Sequence, residues 1–203
     1  MREFVTVREF EFRPEAEIAQ ARLATDGIRS AVRADDEGGL NPGFYRDYAV
    51  RLEVAMRDLP DALESLGVEA VEVPLGVAVA IRNHAMWAFP AEACGLLLGE
   101  AGGAPVFAAC LSNAAGGADR FTIDPAEHFG AVNLAEMNGW SVIGAFHSHP
   151  RSTALPSESD LGGGSDPAWL QLIIGPVAGR QPELRGYRYD GGRFDEVWIE
   201  VAS

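Results

Sequence analysis

The chain has 203 residues, of which 47% are apolar and 23% charged, a balance ordinary for globular proteins that excludes disorder along the whole length. Acidic residues number 30 against 16 basic ones, leaving a formal net charge of −14. That charge excludes nucleic-acid binding through bulk electrostatics and disfavours an anionic membrane surface.

In chain order, Phe4, Val5, Val7, Phe10 and Phe12 alternate as a strand with one break. Pro14 opens a helix with Ile18, Ala21, Leu23 and Ala24 at helical spacing, and Asp26-Gly27 ends it with Gly27 as a left-handed cap. Ile28 to Val32 is a short strand, Asp35 to Phe44 is rich in turn formers, and Tyr48, Val50 and Leu52 alternate as another strand. Asp58 stands where an N-cap belongs before Pro60, Leu63 and Leu66 face a core, and Val68 to Val73 closes the set. The order βαββαβ is that of a ferredoxin-like sandwich. Pro74 marks a seam, giving expected domains 1–72 and 73–203. The second half opens with a helix over Leu75 to Trp87. Strands follow at Cys94–Gly99, Pro105–Leu111, Ser141–Phe146, Trp169–Gly175, Leu184–Tyr189 and Phe194–Val201, with one further helix from Pro125 to Asn138. The fold class expected is α/β in the broad sense (α+β).

Two cysteines, Cys94 and Cys110, exclude a disulfide framework and an all-cysteine zinc site, and their apolar surroundings predict buried free thiols. The N-terminus alternates and carries charge, unlike a signal peptide, and Trp169 to Gly179 falls far short of the roughly 20 residues that span a bilayer. A cytoplasmic, soluble protein is expected. Every basic residue is arginine. Genome composition accounts for this; the rival account is that a chain without lysine escapes modification on lysine.

The informative segment is Gly144 to Asp160, GAFHSHPRSTALPSESD. An apolar strand ends in His147-Ser148-His149-Pro150, and alternate residues of a strand share a face, so the two imidazoles project together. Asp160 follows eleven residues after His149, in the first turn of a helix starting at Ser157. Two histidines, one carboxylate and a water make a tetrahedral zinc site with an open position. Each piece also has a plainer account. The histidines can be packed or superficial, Ser157-x-x-Asp160 is a capping pattern, and Asp160 can serve the helix dipole.

The pattern H-x-H-P followed by S-x-x-D resembles that of the JAMM (MPN+, prokaryotic JAB-like) zinc metallopeptidases. The family's upstream block is matched by Pro90-Ala91-Glu92-Ala93-Cys94-Gly95-Leu96-Leu97-Leu98-Gly99. The resemblance covers about Val73 to Val201. It implies a mixed, curved sheet flanked by helices, of cytidine-deaminase-like architecture. It also implies zinc held by His147, His149 and Asp160, Glu92 as general base and proton shuttle, and Ser157 stabilising the oxyanion. His84 and His128 match no family position.

The activity implied is hydrolysis of the amide bond after the Gly-Gly tail of a ubiquitin-like or sulfur-carrier protein. The alternatives are a zinc hydrolase of small or cell-wall peptides, or a zinc-binding scaffold whose N-terminal module is the working part. The N-terminal half is weakly similar to a small bacterial domain described as signal-transducing. It is expected to recruit the carrier, or to form a homodimer through a sheet edge or helix face.

Overall fold

Alternation of apolar and charged residues draws Phe4–Phe10 into strand β1, with Val7 turned into a core. In the computed structural model of the protein, the described residues are 4–10, 12–34, 50–161, 166, 168–179, 182–189 and 193–202. Contacts divide the chain into two units, Met1–Glu69 and Ala70–Ser203.

In the first unit, helix α1 (Arg13–Thr25) carries Pro14 in its first turn, where a missing N–H is harmless. Its buried face is formed by Ala16 and Leu23, not by Ile18, which is 72% exposed. The helix ends at Asp26, and Gly27 takes the left-handed conformation expected of it, with φ 78°. Strands β2 (Ser30–Ala34) and β3 (Val50–Ala55) follow, with Val50, Leu52 and Val54 buried in alternation. A short 3-10 turn, Met56–Asp58, leads into helix α2 (Leu59–Leu66). Asp58 holds the N-cap position, but its side chain makes no cap bond and accepts from Arg57 Nε at 3.2 Å. The expected loop from Asp35 to Phe44, and Tyr48, lie outside the described residues.

The three strands form an antiparallel sheet in the order β1-β3-β2. That is the order and direction of the first three strands of a ferredoxin-like sandwich. The fourth does not close it. Strand β4 (Ala70–Pro74) instead pairs in parallel with the last strand of the second unit, and contacts assign it to that unit. The cause lies in its side chains. Val71 and Val73 alternate into the second unit's core, beside Val77 and Ile81 of the helix that directly follows.

That helix is α3 (Leu75–Ala88). The second unit continues with β5 (Cys94–Gly99), β6 (Pro105–Leu111), α4 (Pro125–Met137), β7 (Ser141–Ser148), α5 (Glu158–Leu161), β8 (Leu170–Gly175), β9 (Glu183–Tyr189) and β10 (Phe194–Ala202). Seven strands form one mixed sheet in the order β4-β10-β9-β8-β7-β5-β6. Alternate residues of β5 and β7 feed two cores. Leu97 and Phe146 pack with Val77, Ile81 and Ala85 of α3, while Leu96, Leu98 and Ala145 pack with Ala131 and Ala135 of α4. Each fully buried leucine or phenylalanine contributes roughly 1.5–3 kcal/mol. Gly95 is required where it stands, because a side chain there would strike the Ala109 carbonyl and the Phe146 ring. Cys94 is buried as expected; Cys110, on the edge strand β6, is exposed. Among the described residues, no helix is long and apolar enough to cross a membrane.

A fragment spanning Ala70 to Ser203 should therefore fold cooperatively, whereas one starting after β4, at Leu75, should lose several kcal/mol through the exposed partners of Val71 and Val73. Circular dichroism melts of the two fragments check this; equal melting temperatures would show that β4 is dispensable.

Candidate metal centre and its carboxylate

Strand β7 runs beneath the site. Its register with β8 sets His147 opposite Ile173, and the His149 N–H continues the ladder onto the Ile174 carbonyl at 2.8 Å. His147 therefore continues the face of Ala145, and His149, two residues on, projects beside it. The two ring centroids are 5.1 Å apart, and both residues are buried, at 4% and 5% exposure. Gly175 admits the turn that follows, since a side chain there would meet the Ser152 carbonyl oxygen at 2.6 Å. That turn brings the Thr153 carbonyl to 2.6 Å from His149 Nδ1. A proton on Nδ1 bonded to this carbonyl leaves the Nε2 lone pair directed at the cluster.

The third group is Asp160. The Ser157 N–H and hydroxyl both donate to Asp160 Oδ2, at 2.6 and 2.7 Å, so the capping pattern and the placement of the carboxylate are one arrangement. The Ser157 hydroxyl is also 2.8 Å from that of Ser159. His147 Nε2 lies 3.3 Å from Asp160 Oδ1, and His149 Nε2 3.6 Å from Oδ2. The two Nε2 atoms are 3.2 Å apart. A tetrahedral ion bound at about 2.0–2.1 Å has ligand–ligand edges of about 3.3–3.4 Å. The separations of 3.2 and 3.3 Å are close to that figure, and one donor atom from each of the three residues lies within 4.8 Å of the others. The donor set thus fits a small divalent cation.

The charges agree with this arrangement. Burial opposes ionisation of Asp160, but the bonds to His147, His149 and Ser157 hold its carboxyl far below the usual range. Burial outweighs the Asp160 bond at His147 and keeps that imidazole below its ordinary value, neutral with a lone pair to give. At His149 burial is overcome by the bonds to Asp160 and Thr153, which raise it. Cys94 shares the sheet rung of His147 but is not among the clustered donor groups. Burial, with Glu127 and Glu92 nearby, lifts its thiol to about 12 in the metal-free protein.

Glu92 sits just before β5 and is only 5% exposed. Burial pushes its carboxyl up to about 7; His149 opposes the rise, while Asp160 and Asp119 add to it. Its main chain is tied on both sides. The Glu92 N–H donates to the Gly117 carbonyl at 2.9 Å, and the Ala93 N–H donates to the buried Ser148 hydroxyl at 2.8 Å. Phe121 stacks on His147 with centroids 4.9 Å apart.

The sequence-predicted residues His147, His149 and Asp160 thus come together; Ser157 reaches them through Asp160, and Glu92 through its electrostatic coupling to His149 and Asp160. His84 and His128 stay apart, His84 Nε2 lying 3.0 Å from the Leu111 carbonyl. Sequence reasoning missed Thr153, which acts through its carbonyl, and Ser148, whose position between the histidines was its only signal. It also missed Phe121 and Asn113, which sit in a segment between elements.

Residues 74–189 match the family described as prokaryotic homologs of the JAB domain. The chain is 34% identical over 114 residues to a desampylase of Haloferax volcanii, covering 55% of this chain and 79% of the relative. It is 27% identical over 128 residues to a CysO-cysteine peptidase of Mycobacterium tuberculosis, covering 63% of this chain and 84% of the relative. A solution structure of a Desulfitobacterium hafniense protein is similar with a TM-score of 0.60 and 31% identity, covering 65% of this chain and 92% of that one. A second, from Salinibacter ruber, has a TM-score of 0.51 and 25% identity, with the same two coverages of 65% and 92%.

A raised carboxyl pKa carries a stability consequence. Between the ordinary value of 4.5 and about 7, folded Glu92 holds a proton that the unfolded chain has released. The native state of the metal-free protein is therefore penalised progressively as pH rises through that window. Glu92→Gln removes the penalty. At pH 8 the metal-free variant should be more stable than the parent by roughly 1–3 kcal/mol, and near pH 4 the two should coincide. Urea titrations at both pH values check this; a variant less stable at pH 8 would contradict the assigned environment.

Proposed function

The chain belongs to the family of prokaryotic homologs of the JAB domain and is a JAB-type hydrolase; from that premise we propose that it is a zinc peptidase. Its substrate in this reading is the amide bond following the Gly-Gly tail of a ubiquitin-like or sulfur-carrier protein. The observation that carries the reading is the convergence of His147, His149 and Asp160 within 4.8 Å, coupled to a buried carboxylate poised near neutral pH.

Zinc suits two imidazoles and one carboxylate, and when bound it supplies a Lewis acid that acidifies water and polarises a carbonyl. The chain's own residues do the rest. Glu92, with a carboxyl near 7, takes the proton of the attacking water and delivers it to the leaving amine, the two tasks best matched by a group that titrates at working pH. Asp160 and His149 keep their orientation through Ser157 and Thr153. The Ser157 hydroxyl, turning from Asp160, donates to the oxyanion as it develops. The carrier substrate is supported by the relatives named desampylase and CysO-cysteine peptidase. The leaving group in this reading is a lysine side chain or a small amino acid such as cysteine, and the setting is the cytoplasm.

The test is a ubiquitin-like protein ending in Gly-Gly, joined through its terminal glycine to a short peptide. The parent should release the peptide. Glu92→Gln should retain metal and substrate binding while turnover drops by about 10²–10⁴-fold. Ser157→Ala should lose about 10²–10³-fold if its hydroxyl meets the oxyanion. A loss of melting temperature without that loss of rate would leave Ser157 only a cap. Failure to cleave the carrier, with cleavage of small cell-wall peptides instead, would overturn the substrate assignment.

The first unit lies outside the matched residues and is assigned to recruiting the carrier. The fragment from Ala70 should then cleave a short Gly-Gly peptide at the parent's rate but show a raised KM for the intact carrier, because remote contacts contribute uniform binding. An unchanged KM would leave dimerisation as the unit's role.

A further inference from the structure

The segment between β6 and α4 contributes no residue to the ligand cluster, yet one of its side chains, Asn113, makes five hydrogen bonds. Its amide nitrogen donates to the Glu92 carbonyl at 3.0 Å and to the Arg120 carbonyl at 3.2 Å, using both hydrogens. Its oxygen accepts from the N–H groups of Ala115, Gly116 and Thr122 at 3.0, 3.3 and 3.1 Å. The same segment returns a bond to Glu92, whose N–H donates to the Gly117 carbonyl at 2.9 Å. Of Glu92's main-chain polar groups, the carbonyl is held by Asn113 itself and the N–H by Gly117, next to Asn113's partner Gly116. Phe121, flanked by the Asn113 partners Arg120 and Thr122, is the residue stacked on His147.

We propose that Asn113 is a positioning residue for hydrolysis: by bonding the Glu92 carbonyl and folding the segment from Ser112 to Asp124 onto itself, it fixes the Glu92 carboxylate relative to His147, His149 and Asp160. The proposal rests on the reading of Glu92 as the base. Asparagine meets the requirement because it offers two donors and an acceptor on a short, planar group. Aspartate keeps the acceptor and loses both donors, alanine loses everything, and glutamine carries the amide one methylene too far.

The experiment uses the full chain, zinc-loaded, and a ubiquitin-like protein ending in Gly-Gly fused to a short peptide. Asn113→Asp retains the acceptor for the Ala115, Gly116 and Thr122 N–H groups and loses the bonds to the Glu92 and Arg120 carbonyls, so it remains informative if Asn113→Ala does not fold. Its kcat should fall by about 10- to 100-fold, the scale expected of a displacement of about 1 Å. KM should stay within about twofold and metal content should be unchanged. On a Glu92→Gln background the same substitution should cause no further loss, because two residues that act through one group are not additive. Unchanged kcat in Asn113→Asp, additive losses in the double variant, or loss of metal would each overturn the proposal. Glu92→Gln with the parent's turnover would overturn the base assignment itself, and that result is read before the double variant is made.

Discussion

Two imidazole nitrogens 3.2 Å apart, both facing a carboxylate in a buried site, must have a proton or a cation between them. Lone pairs so placed repel, and the protein has few ways to tolerate that except a proton or a cation. Much of the second unit works to enforce the crowding. The parallel ladder between β7 and β8 fixes His147, the ladder's last bond fixes His149, and a glycine on β8 leaves room for the turn that hands His149 the Thr153 carbonyl. Ser157 then delivers Asp160 with two bonds to one oxygen. Burial makes each of these groups costly to leave unpaired.

The same burial acts on Glu92. A carboxylate at 5% exposure resists ionisation, and Asp160 and Asp119 add to that resistance. A group so placed destabilises the metal-free fold at high pH. It is held by its backbone from two directions, through Gly117 and Asn113 on one side, and through the Ser148 bond to the adjoining Ala93 N–H on the other. Ser148 lies between the two histidines, so the strand that positions them also braces the main chain beside Glu92. The site is in that sense one structure rather than a metal centre with a neighbour.

Much of this was legible in the chain. Strand alternation placed His147 and His149 on one face, and the capping pattern placed Asp160 at a helix start, because both depend on local periodicity. The strands and helices of the second unit lie within a few residues of where their apolar patterns put them. Glu92 was visible only through the spacing of a family pattern, since a lone glutamate before an apolar run reads as surface. The partner of β4 was illegible: alternating valines specify a strand but not the sheet edge it joins, and the decision was made by the packing of Val71 and Val73 beside α3. Ile18 misled for a related reason, because helical spacing permits more than one face and Ala16 and Leu23 won it. Thr153 acts through a carbonyl, which every residue has, and Asn113 bonds main-chain groups up to 21 residues away, which no local pattern records.

X-ray absorption spectroscopy of the zinc-loaded full-length chain tests the central claim most directly. One zinc per chain should show a shell of nitrogen and oxygen alone at about 2.0–2.1 Å, with the multiple scattering of two imidazoles. A sulfur shell at about 2.3 Å would bring Cys94 into the site and contradict the account. So would a spectrum with one imidazole or none.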